Sequence, residues 1–171
     1  DRIYYPLEGY LLPDTFTFEN VDVSVKDIFS KILDYTDKYL SANREEIEET
    51  YLTVHQLLTL ASIAELEGST LDERAEIVGV FYNRLDKGMS LGSDVTTYYA
   101  VGKELSDGDL TSKEIATDNA YNTRATNMQG KIPIGPISNP SKNSIQAVIH
   151  PRETTALYFV SDKNKKVYFT D

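Results

Sequence analysis

The stretch from Val54 to Asp86 constrains this chain more than any other: two helix-patterned runs are interrupted only by Gly68, Ser69 and Thr70. In the first run, ending at Glu67, apolar residues recur every three or four positions, the period of an amphipathic helix. Thr70-Leu71-Asp72-Glu73 has the spacing of a capping box, in which hydroxyl and carboxylate each satisfy a free backbone amide, so a second helix opens at Ser69 or Thr70. It runs to about Asp86, where Lys87-Gly88 closes it. Two helices joined by a turn this short form an αα-hairpin.

Around this hairpin the pattern stays mainly helical. Ile28, Ile32, Tyr35 and Tyr39 predict a helix over 24–40 with Ser24 as N-cap. Glu45 to Glu49 reads as a solvated helix face. A short helix is expected over Val95–Val101 behind an Asp94 cap, in a loop-rich stretch reaching Asp109. Gly130 to Pro140 carries three prolines and two glycines among isoleucines, which suits a rigid, partly buried loop. Ser141 to Ile149 makes a helix ended by Pro151. Ile3 to Phe18 reads as short extended segments and turns, and Ala156 to Thr170 as two strands around the turn Asp162-Lys163-Asn164-Lys165. The expected fold class is α+β, mainly helical with small antiparallel β elements, as one catalytic unit over residues 1–171.

Composition removes several classes of function. Without cysteine there is no disulfide, thiolate metal site or thiol nucleophile. A net charge of −10 with no dense Lys/Arg run disfavours nucleic acid. His55 and His150 do not have metal-ligand spacing, so neither a metal nor another cofactor is expected. No Gly-x-Ser-x-Gly elbow occurs. No stretch is long and apolar enough to cross a membrane, and the abrupt start suggests a fragment whose targeting or anchoring region lies upstream.

Advancing about 100° per residue, Val54, Leu57, Leu58, Ala61 and Ala64 share an arc with Glu65 near its middle, while Glu67 sits at the rim where it reaches water more easily. A carboxyl held against apolar neighbours has a raised pKa and can act as a general acid. On this reading Glu65 is the acid/base. The competing reading is that Glu65 pairs with an arginine or caps a neighbouring turn in the core.

Leu60-Ala61-Ser62-Ile63-Ala64-Glu65-Leu66-Glu67, with Arg74 and Val80-Phe81-Tyr82-Asn83-Arg84-Leu85, resembles the MltG (YceG-like) endolytic murein transglycosylases. Further blocks follow in the same order: Leu7-Glu8-Gly9-Tyr10-Leu11-Leu12-Pro13-Asp14-Thr15, Ser93-Asp94-Val95-Thr96, Ala120-Tyr121-Asn122-Thr123, Ile134-Gly135-Pro136-Ile137-Ser138-Asn139-Pro140 and Tyr158-Phe159-Val160. Val95, where a proline is common, and Arg124, where an aromatic is common, depart from the pattern.

The resemblance implies cleavage of the β-1,4 bond between N-acetylmuramic acid and N-acetylglucosamine, leaving a 1,6-anhydro end. It assigns Glu65 as the catalytic acid and nominates Glu8, Asn83, Asp94, Thr96, Tyr121, Asn122 and Thr123 as substrate-side or supporting groups. It also implies peptidoglycan glycan strands as substrate, penicillin-binding proteins as neighbours, and a membrane-anchored protein on the extracytoplasmic face. Two alternatives stay open: a hydrolytic muramidase in which Asp94 or Glu8 serves as second carboxylate, and a noncatalytic wall-binding or scaffold domain.

Overall fold

The computed structural model describes residues 2–162 and 166–171. Its helices are α1 (Val25–Ala42), α2 (Arg44–Glu49), α3 (Val54–Glu67), α4 (Leu71–Asp86), α5 (Asp94–Val101), α6 (Ser112–Ile115) and α7 (Lys142–Ile149), followed by strands β1 (Tyr158–Ser161) and β2 (Val167–Thr170). The α+β expectation therefore holds.

Helix α3 is the hub. Every residue from Leu57 to Ala64 is buried, as befits a helix apolar nearly all round. It packs on α4, α5 and α7, and α4 in turn packs closely on α7. Complete burial of Leu57, Leu58, Leu60 and Ile63 contributes about 1.5–3 kcal/mol per side chain. Both hairpin helices carry full capping boxes, Thr53 with Gln56 and Thr70 with Glu73. Helix α4 approaches the chain after α7 so closely that a Cβ on Gly79 would lie 2.4 Å from the Arg152 carbonyl oxygen.

Ser24 caps α1 as expected, its hydroxyl accepting the Asp27 amide at 3.1 Å. Helix α2 is exposed except for Ile47, which turns into the core. The proline-rich loop is pinned onto α3, where the Ile137 amide donates to Ser62 Oγ at 3.0 Å and Ser138 Oγ donates to the Ser62 carbonyl at 3.1 Å. Gly9, at φ +87°, lets residues 5–10 turn back against Pro136 and donates its amide to Asn139 Oδ1 at 2.8 Å.

Strands β1 and β2 pair antiparallel with Phe159 opposite Phe169. The Phe159 ring meets Phe81 of α4 edge-on at 6.1 Å, which fastens the ribbon to the helices. Lys163, Asn164 and Lys165 of the expected connecting turn lie outside the described residues.

One cap differs from expectation. Ser93 has the extended N-cap conformation and Asp94 is the first residue of α5. Asp94 is drawn aside by an ion pair with Arg124, so its carboxylate balances a guanidinium instead of capping amides.

Candidate active site

Glu65 and Glu67 leave the last turn of α3 about 200° apart, on different sides of the helix. Glu65 meets a full set of donors. Arg74 Nη2 donates to Oε1 at 3.0 Å. The Ser141 amide (2.9 Å), Ser141 Oγ (2.6 Å) and Ser144 Oγ (2.6 Å) all donate to Oε2. Arg74 also donates to the Gly68 carbonyl at 2.9 Å and to Ser141 Oγ at 3.1 Å, so one guanidinium ties the ends of α3 and α7 together. Burial raises the Glu65 pKa, but the Ser141 and Ser144 hydroxyls, the Ser141 amide and Arg74 outweigh it, leaving the carboxyl below its ordinary value.

Glu67 is the reverse case. Burial pushes its pKa up, the Ser93 hydroxyl bond works against that, and the Asp94 carboxylate adds to the rise while Arg124 opposes it. Its hydrogen-bond donor is Ser93 Oγ at 2.5 Å. The carboxyl borders a cleft of about 640 Å³, shared with Arg84, Asp94, Arg124 and Tyr158 and walled by β1.

The expected contrast between the two acids is thus inverted. Helical period put Glu65 on an apolar arc, but the element covering that arc is the polar N-terminus of α7. The rim that was to expose Glu67 to water is covered by the segment leading into α5. The competing reading of Glu65, an arginine partner and a capped turn, describes its surroundings.

The remaining sequence-selected residues fall into three places. Asp94 faces the Glu67 cleft, its side chain 54% exposed and paired with Arg124. Thr96 and Thr123 are fully buried behind it: Thr123 Oγ1 accepts the Ser93 amide at 2.9 Å, and Thr96 Oγ1 donates to the Ser93 carbonyl at 2.7 Å. These two bonds fix the backbone that aims Ser93 Oγ at Glu67. Asn122, equally buried, accepts from Thr97 Oγ1 at 2.6 Å and donates to the Ile115 and Thr117 carbonyls at 3.0 and 2.8 Å. Thr96, Asn122 and Thr123 are therefore fully buried and hold the loop.

Glu8 and Tyr121 belong to a second cluster. Glu8 accepts the Tyr99 hydroxyl, and the buried Tyr121 ring lies 4.8 and 4.9 Å from those of Tyr4 and Tyr99. Asn83 points elsewhere, donating to the Thr154 and Ala156 carbonyls at 2.8 and 3.0 Å, which secures the approach to β1. Sequence reasoning passed over Ser93, although it directly precedes Asp94 in a quoted block, and gave Glu67 the wrong environment.

Neither histidine lines the Glu67 cleft: His55 bonds the Tyr10 hydroxyl and the Ile134 carbonyl, and His150 pairs with Glu46. Among the described residues no group of three or more His, Cys, Asp or Glu is placed to hold a metal ion.

A helix-rich α+β body that presents one desolvated carboxyl, its pKa raised, at the wall of a polar cleft has the features of an acid/base site. The chain belongs to the YceG-like family, whose sequence model matches residues 1–171. It is 39% identical over 169 residues to a Bacillus subtilis (strain 168) protein named endolytic murein transglycosylase, covering 99% of this chain and 46% of that one. A protein of the same name from Streptococcus pneumoniae (strain D39) is 36% identical over 171 residues, with 98% of this chain and 30% of that one covered. A 2.6 Å crystal structure of a YceG-like protein from Listeria monocytogenes superposes with a TM-score of 0.88 at 39% identity, over 98% of this chain and 53% of that one. The chain spans less than half the length of the two named transglycosylases.

Proposed function

We propose that this chain is the catalytic part of an endolytic murein transglycosylase and that Glu67, in place of Glu65, is its acid/base. The observation that carries the assignment is the contrast between the two carboxyls. Glu65 is saturated by four donors and held ionised, whereas Glu67 is desolvated beside an open cleft with its pKa raised.

A protonated Glu67 donates to the glycosidic oxygen as the bond to C1 of N-acetylmuramic acid breaks. The resulting carboxylate then takes the proton from the muramyl C6 hydroxyl as that oxygen closes onto C1. The product is a 1,6-anhydro ring, water is not consumed, and the enzyme returns to its starting protonation state. The Ser93 hydroxyl bond steadies the ionised form of Glu67, and the Asp94 carboxylate in the same cleft stabilises the positive charge that develops at C1.

The substrate so assigned is the glycan strand of peptidoglycan, which places the reaction on the extracytoplasmic side. Family resemblance supports a membrane-anchored whole protein working beside penicillin-binding proteins. Among the described residues no helix is long and apolar enough to cross a membrane.

The test is digestion of uncrosslinked glycan strands, with chain ends read by mass spectrometry. The wild-type chain should generate anhydro-muramyl ends, and Glu67→Gln should lower their rate by about 10²–10⁴-fold, the contribution of a positioned acid/base. Glu65→Gln, assayed below its melting temperature, should retain most activity. Loss confined to Glu65→Gln would restore the first assignment, and reducing ends would mean that water, activated by Asp94, replaces the C6 hydroxyl.

A further inference from the structure

A second cleft, of about 730 Å³, runs beside the one that holds Glu67. Their walls abut at two places in the sequence. Leu66 lines the second cleft and Glu67 the first; Val95 lines the second and Asp94 the first. The C-terminus of α3 and the N-terminus of α5 thus border both clefts.

The second cleft differs sharply in chemistry. Tyr4, Tyr5, Tyr98 and Tyr99 line it together with Glu8. Tyr5 is 66% exposed and Leu105, also in the lining, is 68% exposed, so apolar surface faces solvent here without an intramolecular partner to cover it. The Tyr4 ring lies nearly parallel to that of Tyr99 at 5.8 Å and leans on Tyr121, which makes the floor a fixed aromatic platform. Lys103, the cation in the lining, is turned to the Asp109 carbonyl at 2.7 Å and to Glu114 at 3.4 Å. With Glu8 and Glu104 also in the wall, the cleft repels anions and favours a neutral ligand that has hydroxyl or amide donors and flat C–H faces.

We propose that this tyrosine-walled cleft is a remote saccharide subsite, which holds a neutral N-acetylhexosamine portion of the same glycan strand away from the bond being cleaved. The inference rests on the glycan-cleaving function proposed above. Sugar rings stack their C–H faces on the exposed tyrosines, and the Glu8 carboxylate accepts from a sugar hydroxyl or acetamido N–H. Tyr99, its phenol pushed up by burial and by the hydrogen bond to Glu8, stays protonated and keeps Glu8 in place. A grip outside the Glu67 cleft selects strands long enough to fill both clefts, and so favours cleavage within a strand over trimming of its end.

The experiment uses the Glu67→Gln chain, slowed by about 10²–10⁴-fold so that binding is read before turnover, titrated calorimetrically with peptide-free, uncrosslinked glycan oligosaccharides of increasing length. Tyr5→Ala and Leu105→Asp are introduced separately; both residues are exposed, so the fold is spared. Each variant should weaken binding of long strands about tenfold, the usual loss when a well-placed anchor is truncated, and leave the binding of short ones unchanged. In the active chain the same substitutions should raise KM and leave kcat unchanged. If both variants bind long strands within about twofold of the parent, or lose short and long strands equally, the remote subsite is overturned while the glycan-cleaving function stands. If the parent binds no strand and the wild-type chain cleaves none, the proposed function fails and this inference fails with it.

Discussion

Replacing Glu65 by alanine tests the division of labour between the two carboxylates, because the structure assigns this residue mainly to stability. The substitution removes the acceptor for Arg74, for two serine hydroxyls and for the Ser141 amide, all at the junction of α3, α4 and α7. Breaking a buried ion pair by deleting one partner costs about 3–5 kcal/mol. The side chains of Glu65 and Arg74 are 24% and 12% exposed, so water screens part of the loss and the lower end, about 3 kcal/mol, applies. For a chain of this size that corresponds to a fall in melting temperature of roughly 6–12 °C, measured by circular dichroism. Glu65→Gln should cost less, because an amide oxygen still accepts from the serines.

The pH dependence of this loss has a defined sign. The folded-state pKa of Glu65 lies below its ordinary value of 4.5, so the stabilisation is complete above 4.5 and disappears as pH falls through the folded value. The gap between wild type and Glu65→Gln should therefore close in acid. A Glu65→Ala chain within about 1 kcal/mol of wild type at neutral pH, or a gap that widens on acidification, would refute the structural role.

Glu67→Gln should behave in the opposite way. The folded chain binds the Glu67 proton more tightly than the unfolded one, so wild-type stability falls as pH rises from 4.5 through the folded value, and the amide variant should be the more stable at pH 7 in chemical denaturation. Ser93→Ala removes the hydrogen bond that restrains the Glu67 pKa, so the limb of the pH–activity profile set by Glu67 should move to higher pH; a fixed or lowered limb contradicts the assignment. Gly79→Ala forces a Cβ against the Arg152 carbonyl and should destabilise by about 1–3 kcal/mol, seen as a lower urea midpoint with an unchanged slope.

The hairpin and its capping box were legible because their signals are local: spacing alone sets a helical period and places Thr70 three residues before Glu73. The same holds for Ser24 and for the pairing of the two terminal strands. The environments of the acids depend on residues distant in sequence. Ser141 and Ser144 reach Glu65 from 76 and 79 positions away, and Ser93 reaches Glu67 from 26. A helical wheel shows which way a side chain points, but it carries no information on whether the surface it meets is a hydrocarbon wall or the open end of another helix. Asp94 was misjudged for a related reason: an N-cap assignment presumes that the carboxylate is unengaged, and Arg124, 30 residues on, engages it.

Helix α3 ends at Glu67, and α7 begins just after Ser141. The peptide dipoles of α3 leave partial negative charge at its last carbonyls, beside both acids, and each acid then meets the N-cap serine of a later helix, Ser141 of α7 for Glu65 and Ser93 of α5 for Glu67. Each effect is worth about 0.3–1 kcal/mol at a partly exposed terminus. Helix polarity therefore acts on the two carboxylic acids alike, and what separates them is the donors each receives: Arg74, the Ser141 amide and two serine hydroxyls on Glu65, one serine hydroxyl on Glu67. A redesigned cleft would hold its acid protonated by withholding donors from it, not by the choice of helix end.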